Sequence, residues 1–335
     1  MTEVANKSTT LSNTATADWM QTLRRMLKVS EFVIFLVVLF LLLFGAFVNP
    51  RVLGIENLKI ITRDTAILAI AALGVAFPII TGGIDLSIGS IIGLGGVLST
   101  YFIVNWGAPI VPSIILTLLI GMGIGWIHGL FVTRLNMHGF LITLVTLGVA
   151  RGAILVITNG IPITGVPDAY TFLGQGYLFK LIPIPVILCT IVAILAHYLL
   201  RYTYIGRQIY AVGGNIEATR LSGVNVNARI VLCYVLAVVC SSLVGVIQAG
   251  RLSLGHPGTG EGYELLAITA CILGGLSLMG GQGSVPGILV GSALIGVLQN
   301  LMVMLNINPY WHKIVIGLVL LAAITFDYLR RKQKR

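Results

Sequence analysis

The chain has 335 residues, of which 57% are apolar and only 10% are charged, and its mean hydropathy is +0.99. A soluble domain typically has about 25% charged residues, so this composition excludes a soluble fold and predicts a polytopic membrane protein. The net charge of +10 comes from basic residues that flank apolar runs. That distribution indicates membrane topology rather than nucleic-acid binding.

Apolar runs divide the chain into an N-terminal tail, one membrane domain and a short C-terminal tail. The tails are residues 1–29 and the basic residues 330–335, and the membrane domain is residues 30–329. The first apolar run lacks a small-x-small cleavage site, so we expect a retained span rather than a signal peptide. We predict an all-α fold with about ten transmembrane helices in the lipid bilayer. The expected spans are residues 32–48, 65–81, 86–104, 110–131, 139–157, 181–200, 230–249, 264–279, 285–304 and 311–329.

An even number of spans places both termini on the same side of the membrane. With these spans, fourteen basic residues lie on the side of the termini, six lie on the other side, and Arg151 lies within a span. Because cytoplasmic loops are enriched in Lys and Arg, we expect both termini and loop 201–229 to be cytoplasmic. Asp327 and the basic tail are predicted to anchor the last span at the interface.

Two glycine pairs indicate that the chain contains two repeated halves. The pairs Gly82-Gly83 and Gly280-Gly281 each lie between two expected spans, and each is followed by a serine and then, at the same spacing, by a third glycine. Repeated halves are common in transporters. Because both segments have the same expected orientation, they predict a parallel repeat.

Residues 82–90, GGIDLSIGS, place an acid and two serines between two apolar runs of membrane-spanning length. A carboxylate exposed to lipid at that depth costs about 2.5 kcal/mol or more, and the glycines leave backbone groups without partners. We therefore expect the segment to lie inside the protein or beside a water-filled path. Asp85 is also placed to cap the next helix, and each serine either lines the path or bonds to the preceding turn. The candidate path residues are Gly82, Gly83, Asp85, Ser87 and Ser90.

Charged residues also occur near the outer ends of two expected spans. Arg151 lies in the fifth span, where we expect it either to reach the interface or to pair with a loop acid such as Asp168. An intramembrane charge is a functional candidate as well. The glycine-rich outer segment 255–264 leads into the eighth span. Its Tyr263 and Glu264 either meet the substrate at the outer mouth or belong to a flexible loop with Glu264 at a helix start.

The cytoplasmic loop 201–229 contains a pattern typical of a short capped helix. Asn215 is placed to cap a helix over residues 216–221, and Gly223 is placed to end it. Such a helix forms either a rigid contact for a partner or an ordinary solvated loop element.

The sequence shows no catalytic site. The five histidines have no metal-ligand spacing, and the four cysteines lie in apolar runs, which indicates packing thiols rather than metal or disulfide chemistry. No Gly-Lys pair occurs, so there is no Walker A loop. We therefore expect no enzymatic activity, bound cofactor or metal in this chain, and any nucleotide that drives its function must bind to another chain.

Three stretches together resemble one family. Residues 82–90 are similar to the GGIDLSVGS signature of bacterial sugar ABC-transporter permeases of the ribose, xylose, galactose and autoinducer-2 type, which are related to branched-chain amino-acid permeases. Residues 213–224 resemble that family's cytoplasmic loop, and residues 262–284 resemble its late GYEL…GG.S..GG.GS block. The resemblance covers essentially the whole membrane domain.

This resemblance implies the permease subunit of a binding-protein-dependent importer in the bacterial inner membrane, with a monosaccharide or small polyol, foremost a ribose-like sugar, as its substrate. It implies a second permease chain, identical or related, two ABC ATP-binding subunits that hold ATP and Mg, and an extracytoplasmic sugar-binding protein. Tyr263 and Glu264 would join the path residues. The helix that couples to the ATPase would involve Gly214, Asn215, Glu217, Ala218, Arg220, Ser222 and Gly223.

Three other functions stay open at this point. An ion-driven secondary transporter favours relays of intramembrane charges, and here only Asp85 and Arg151 qualify. A membrane-embedded enzyme needs converging catalytic groups, which the sequence does not show. A branched-chain amino-acid permease of the related branch shares the motifs and differs in its substrate.

Overall fold

The computed structural model describes residues 30–332, which form a bundle of thirteen α-helices. The expected N-terminal tail, residues 1–29, and the last residues of the basic tail, 333–335, lie outside this described part, as does the side chain of Asp327. The helices are α1 (Ser30–Val48), α2 (Ile55–Ile80), α3 (Ile88–Val104), α4 (Ile110–Arg134), α5 (Gly139–Thr158), α6 (Asp168–Gln175), α7 (Ile184–Tyr202), α8 (Tyr204–Gly214), α9 (Ile216–Leu221), α10 (Val226–Leu252), α11 (Tyr263–Leu273), α12 (Val285–Met304) and α13 (Pro309–Lys332).

Short elements mark the two ends of the bundle. A 3-10 turn, Pro50–Leu53, joins α1 to α2, and an antiparallel hairpin of β1 (Tyr177–Leu178) and β2 (Ile182–Pro183) precedes α7. α7 has 19 residues and is therefore about 28 Å long. It separates the α6 end, which carries α6 and the hairpin, from the α9 end, which carries α8 and α9.

The described helices fit a polytopic all-α membrane protein. Six of them, α2, α4, α5, α7, α10 and α12, are long and apolar enough to cross a membrane. Four further apolar stretches are shorter: Phe32–Val48, Ile88–Val104, Tyr263–Leu273 and Pro309–Thr325. Each of these ten helices overlaps an expected span, but only six meet the length for crossing, so the count of about ten spans stays a prediction.

α2 and α10 form the centre of the bundle. α10 packs against α2, α3, α4 and α6, and α2 also packs against α7, α11 and α12. Most residues of α2 and α10 are buried, whereas only 22–28% of the residues in the apolar windows of α4, α5 and α7 are buried. The exposed side chains include large apolar residues such as Val149, Val156 and Leu195, which suits a surface surrounded by lipid. The four cysteines are buried and free, as expected.

Glycines let α4 approach α10 closely. Gly121, Gly125 and Gly129 lie on one face of α4, at a spacing of four residues, and all are buried. A Cβ atom on Gly125 would lie 2.7 Å from the Tyr234 carbonyl oxygen and from Val235 Cα. The two backbones are therefore in contact, as in other membrane helix pairs with small residues at the interface.

α11 is shorter than the eighth expected span, residues 264–279. It covers Tyr263–Leu273, and in the turn that follows Gly275 and Gly280 both have a φ angle of +85°. The expected length was wrong because hydropathy follows composition, which stays apolar beyond residue 273. Left-handed glycines end a helix whatever the hydropathy of their neighbours.

α2 is longer than the second expected span, residues 65–81, and begins about three turns earlier. Lys59 and Arg63, which were expected in a loop, therefore lie on this helix. The helix accommodates both charges because Lys59 Nζ pairs with Glu56 at 2.8 Å and the Arg63 guanidinium donates to the Tyr177 hydroxyl.

The contact between α4 and α10 can be tested with two valine substitutions on the same helix. We expect Gly125→Val to lower the unfolding temperature of the purified protein, because overpacking a tight contact costs about 1–3 kcal/mol. Gly123→Val is the matched control, since a Cβ atom on Gly123 meets nothing within 4 Å. Equal unfolding temperatures for the two variants would contradict this packing.

Candidate functional site

The segment between α2 and α3, residues 82–87, is irregular backbone inside the bundle. Gly82 has a φ angle of +83°, and Gly83 N donates to Pro78 O at 2.8 Å. Leu86 N donates to Thr143 Oγ1 on α5 at 3.1 Å. These bonds give the non-helical backbone partners within the protein. Asp85 and Ser87 are buried inside the protein, which is one of the two expected placements, whereas Gly82 at the start of the segment is exposed.

Asp85 is fully buried, and its carboxylate bonds within its own segment. Oδ1 accepts from Ser87 N at 2.8 Å and from Ser87 Oγ at 2.6 Å. The expected helix cap by Asp85 is wrong, because α3 begins at Ile88 and Ser87 occupies the capping position. The turn that the carboxylate closes on Ser87 ends before the helix begins.

The two serines of the segment have different partners, and both are buried. Ser87 bonds to Asp85 in the turn that precedes it, which is one of its two expected roles. Ser90 Oγ instead donates to the carbonyl oxygen of Leu147 on α5 at 2.9 Å. Their place along a substrate path stays a prediction.

Two buried aromatic residues near Asp85 were not predicted from the sequence. His128 on α4 is 0% exposed and Tyr234 on α10 is 1% exposed. Their rings pack edge to face, with centroids 6.2 Å apart and an interplanar angle of 87°. His128 Nε2 lies 2.8 Å from Thr146 Oγ1 on α5. Sequence reasoning treated His128 as an isolated histidine because its neighbours are distant along the chain.

Arg151 on α5 holds the segment that precedes α11. Its Nη1 donates to Pro257 O at 2.9 Å and to Thr259 O at 3.1 Å. The expected pairing with Asp168 is wrong, because the described hydrogen bonds of Arg151 go to those two carbonyl groups, and its reach to the membrane interface stays a prediction. Carbonyl groups of a non-helical segment need donors, and a charged donor is a strong one.

The segment before α11 runs along α3 and brings two predicted stretches together. A Cβ atom on Gly93 would lie 2.7 Å from Thr259 O, and one on Gly89 would overlap the Glu264 carboxylate. Glu264 lies in the first turn of α11, as predicted. Tyr263 Oη accepts from Gln248 Nε2 on α10 at 2.6 Å. Glu264 therefore meets the end of the 82–90 segment, while Tyr263 contacts the central helix.

The loop 201–229 contains the predicted helix and a second one. Asn215 Oδ1 accepts from Ala218 N at 2.9 Å, which caps α9, and Gly223 beyond its end has a φ angle of +78°. Both predictions are confirmed. α8 was missed, although Ile205, Ile209 and Val212 give the apolar spacing of a helix. All seven residues expected to contact the ATPase are exposed.

Glycines join α8 to the two predicted repeat motifs. Gly281 N donates to Ile80 O at the end of α2 at 2.8 Å. A Cβ atom on Gly213 would overlap Ile80 O and would lie 2.5 Å from Gly281 N. One on Gly280 would lie 2.9 Å from Gly82 N. The ends of α2 and α8 and the turn before α12 therefore meet backbone to backbone; we name this contact the glycine junction.

Comparison with known proteins assigns the family. Residues 57–324 match the family described as "Branched-chain amino acid transport system / permease component". The chain belongs to this permease family. The resemblance to transporter permeases that the three sequence stretches indicated is confirmed.

Individual relatives of the permease are named for sugars. It is 40% identical over 304 residues to the ribose import permease protein RbsC of Haemophilus influenzae, covering 89% of this chain and 94% of the relative. It is 40% identical over 295 residues to the ribose import permease protein RbsC of Bacillus subtilis, covering 88% and 91%. The xylose transport system permease protein XylH of Haemophilus influenzae is 32% identical, covering 86% and 92%. No solved structure matches significantly.

The described part of the permease does not contain a group of three or more His, Cys, Asp or Glu residues arranged to bind a metal ion. Asp85, Arg151 and the glycine junction each hold one non-helical segment in place. The site is therefore a set of irregular segments enclosed by helices.

The role of Arg151 can be measured by amide hydrogen exchange. In the Arg151→Leu permease we expect residues 255–262 to exchange about tenfold faster or more, because hydrogen bonds from a charged group contribute about 1.5–3 kcal/mol. Arg134→Leu, at the exposed end of α4, is the control and should leave this segment unchanged. Unaltered exchange in both variants would show that Arg151 does not hold the segment.

Proposed function

We propose that the permease is the membrane-spanning subunit of a binding-protein-dependent ABC importer for a ribose-like monosaccharide. The observation that carries this proposal is 40% identity to ribose import permeases across almost the whole chain. The low number of charged residues suits a neutral, hydroxyl-rich substrate. A substrate path with few charges lets a sugar pass without binding it tightly. The binding protein then supplies the affinity.

We infer about ten spans in the bacterial inner membrane, with residues 30–329 as one membrane domain. Support comes from the six long and four shorter apolar helices. The excess of basic residues on the side of the termini favours cytoplasmic termini. With this orientation the α9 end faces the cytoplasm, and the α6 end and Arg151 face outward. The two repeated halves also belong to this proposal.

The proposed assembly contains two permease chains, identical or related, and two ATP-binding subunits that hold ATP and Mg. An extracytoplasmic sugar-binding protein delivers the substrate. The permease itself then transports without hydrolysing ATP. The exposed α9, rigidly capped by Asn215, is the proposed contact with the ATPase. Its contact residues are Gly214, Asn215, Glu217, Ala218, Arg220, Ser222 and Gly223.

The glycine junction is the proposed route from the ATPase to the substrate path. α9 follows α8 directly, and α8 ends at Gly213 and Gly214 against Ile80 and Gly281. A displacement of α8 therefore also displaces the C-terminal end of α2 and the turn before α12. The backbones are in direct contact, so no side chain between them can change rotamer and take up the displacement. Transport results only if sugar and nucleotide favour different states of the bundle. The proposed path residues are Gly82, Gly83, Asp85, Ser87, Ser90, Tyr263 and Glu264.

Reconstitution tests the function. Proteoliposomes with the permease, its co-purifying ATP-binding subunit and its binding protein should accumulate ribose when ATP is supplied, and a protonophore should not prevent it. Accumulation of leucine instead would identify an amino-acid permease of the same family. Uptake by the permease alone, without any nucleotide, would contradict an ABC importer.

The glycine junction predicts an uncoupling substitution. Gly213→Ala should lower the sugar transported per ATP hydrolysed about tenfold, because the added Cβ atom displaces Ile80 or Gly281 at an overpacking cost of about 1–3 kcal/mol. Insertion and binding to the ATPase should persist. Gly148→Ala is the matched control, since its Cβ atom meets nothing within 4 Å. Normal coupling in Gly213→Ala would refute this route but not the sugar importer itself.

A further inference from the structure

Among the described residues, seven buried side-chain nitrogen or oxygen atoms have no hydrogen-bond partner, and three of them lie near one another between α2, α4 and α10. These three are Asp85 Oδ2 between α2 and α3, His128 Nδ1 on α4 and Tyr234 Oη on α10. The three residues are 0%, 0% and 1% exposed. None of the three atoms has a hydrogen-bond partner among residues 30–332. Buried polar atoms of native proteins are nearly always bonded, so these atoms call for a partner from outside the chain.

The three residues form one cluster. The rings of His128 and Tyr234 are in edge-to-face contact, and the Tyr234 hydroxyl lies against Gly83, two residues before Asp85. Two glycines make room for the phenol oxygen: a Cβ atom on Gly83 would lie 2.5 Å from Tyr234 Oη, and one on Gly139 would lie closer still. The hydroxyl therefore points into the space between the Asp85 segment and the start of α5.

Hydrogen bonding by Thr146 assigns the protons of His128. Thr146 Oγ1 donates its only hydrogen to Ile142 O at 3.0 Å. With its hydrogen placed there, Thr146 Oγ1 accepts from His128 Nε2, which lies 2.8 Å away. In a neutral imidazole the other nitrogen, Nδ1, is then an acceptor. The cluster presents two acceptors, Asp85 Oδ2 and His128 Nδ1, and one donor, the Tyr234 hydroxyl.

We propose that one internal water molecule binds in this cluster and bridges Asp85, His128 and Tyr234. The two hydrogens of water donate to the two acceptors, and one lone pair accepts from the phenol. Buried waters typically make about three hydrogen bonds to otherwise unbonded groups, which is the number available here. The site shares Asp85 with the proposed substrate path, but none of its three hydrogen bonds involves the transported sugar.

Other small partners fit the cluster less well. A cation satisfies the two acceptors but leaves the Tyr234 hydroxyl without one. A sugar hydroxyl has a single hydrogen and leaves one acceptor unbonded. A direct bond from His128 Nδ1 to Asp85 requires the other neutral tautomer or a doubly protonated ring, and it also leaves the phenol unbonded.

The bridge gives Asp85 a connection that its other bonds do not provide. Oδ1 is bonded only to Ser87 in the same segment. Through Oδ2 and the water molecule the segment becomes attached to α4 and α10. A water-mediated bond is nearly as favourable as a direct one. The segment is therefore held without an ion pair and moves relative to both helices by exchanging one water molecule.

A high-resolution structure of the assembled transporter tests the site directly. We expect density for a water molecule within about 2.6–3.2 Å of Asp85 Oδ2, His128 Nδ1 and Tyr234 Oη. A direct hydrogen bond between Asp85 and His128, without such density, would overturn the proposal.

The Asp85→Asn substitution distinguishes a bound water molecule from a bound cation. The amide donates to the water molecule in place of the lost acceptor, so we expect the density to persist and the unfolding temperature to be the same in sodium, potassium and choline buffers. Stabilisation by sodium or potassium that disappears in Asp85→Asn would replace the water with a bound cation.

Tyr234→Phe removes the donor of the cluster. We expect weaker water density and a fall of a few degrees in the unfolding temperature. Tyr198→Phe is the matched control, because Tyr198 is 62% exposed on α7. It should change neither the water density nor the unfolding temperature. Full density with an unchanged unfolding temperature in Tyr234→Phe would overturn the assigned bridge.

Discussion

Backbone hydrogen bonding in a water-poor interior is the constraint on which this structure depends. A bundle in lipid has no solvent to satisfy free carbonyl and amide groups, so an irregular segment must be enclosed and bonded by the protein. Three such segments occur here, after α2, before α11 and after α11. They are bonded by Thr143 on α5, by Arg151, and by the hydrogen bond between Gly281 and Ile80.

Glycine allows these segments to touch one another. At the glycine junction, three chain segments approach so closely that a single added carbon atom collides with backbone. Side chains in a contact can adjust by changing rotamer, whereas two backbones transmit a displacement directly. The same residue type also admits the Tyr234 hydroxyl beside Gly83. Close packing and hydrogen bonding thus act on the same irregular segments.

Sequence reasoning succeeded where the determining interaction is local. The cap by Asn215 and the end of α9 before Gly223 depend on neighbouring residues, and both were predicted. The burial of Asp85 and Ser87 followed from the cost of polar groups in lipid. The partners of Arg151 could not be predicted, because Pro257 lies 106 residues away along the chain. The hydropathy pattern also did not predict the early end of α11. Hydropathy depends only on composition, whereas the helix ends where glycines adopt a positive φ angle.

The surface of α9 has a consequence for the fate of unassembled chains. Leu221 is 88% exposed and Ile216 is 40% exposed on this short helix, at the end of the bundle that we assign to the cytoplasm. Lipid covers the apolar side chains of the spans, but it does not reach a helix that projects into water. A copy without the proposed ATP-binding subunit therefore exposes these two apolar side chains to chaperones and proteases. In the proposed assembly that subunit covers them, so the abundance of the permease should follow the supply of its proposed partner in the cell.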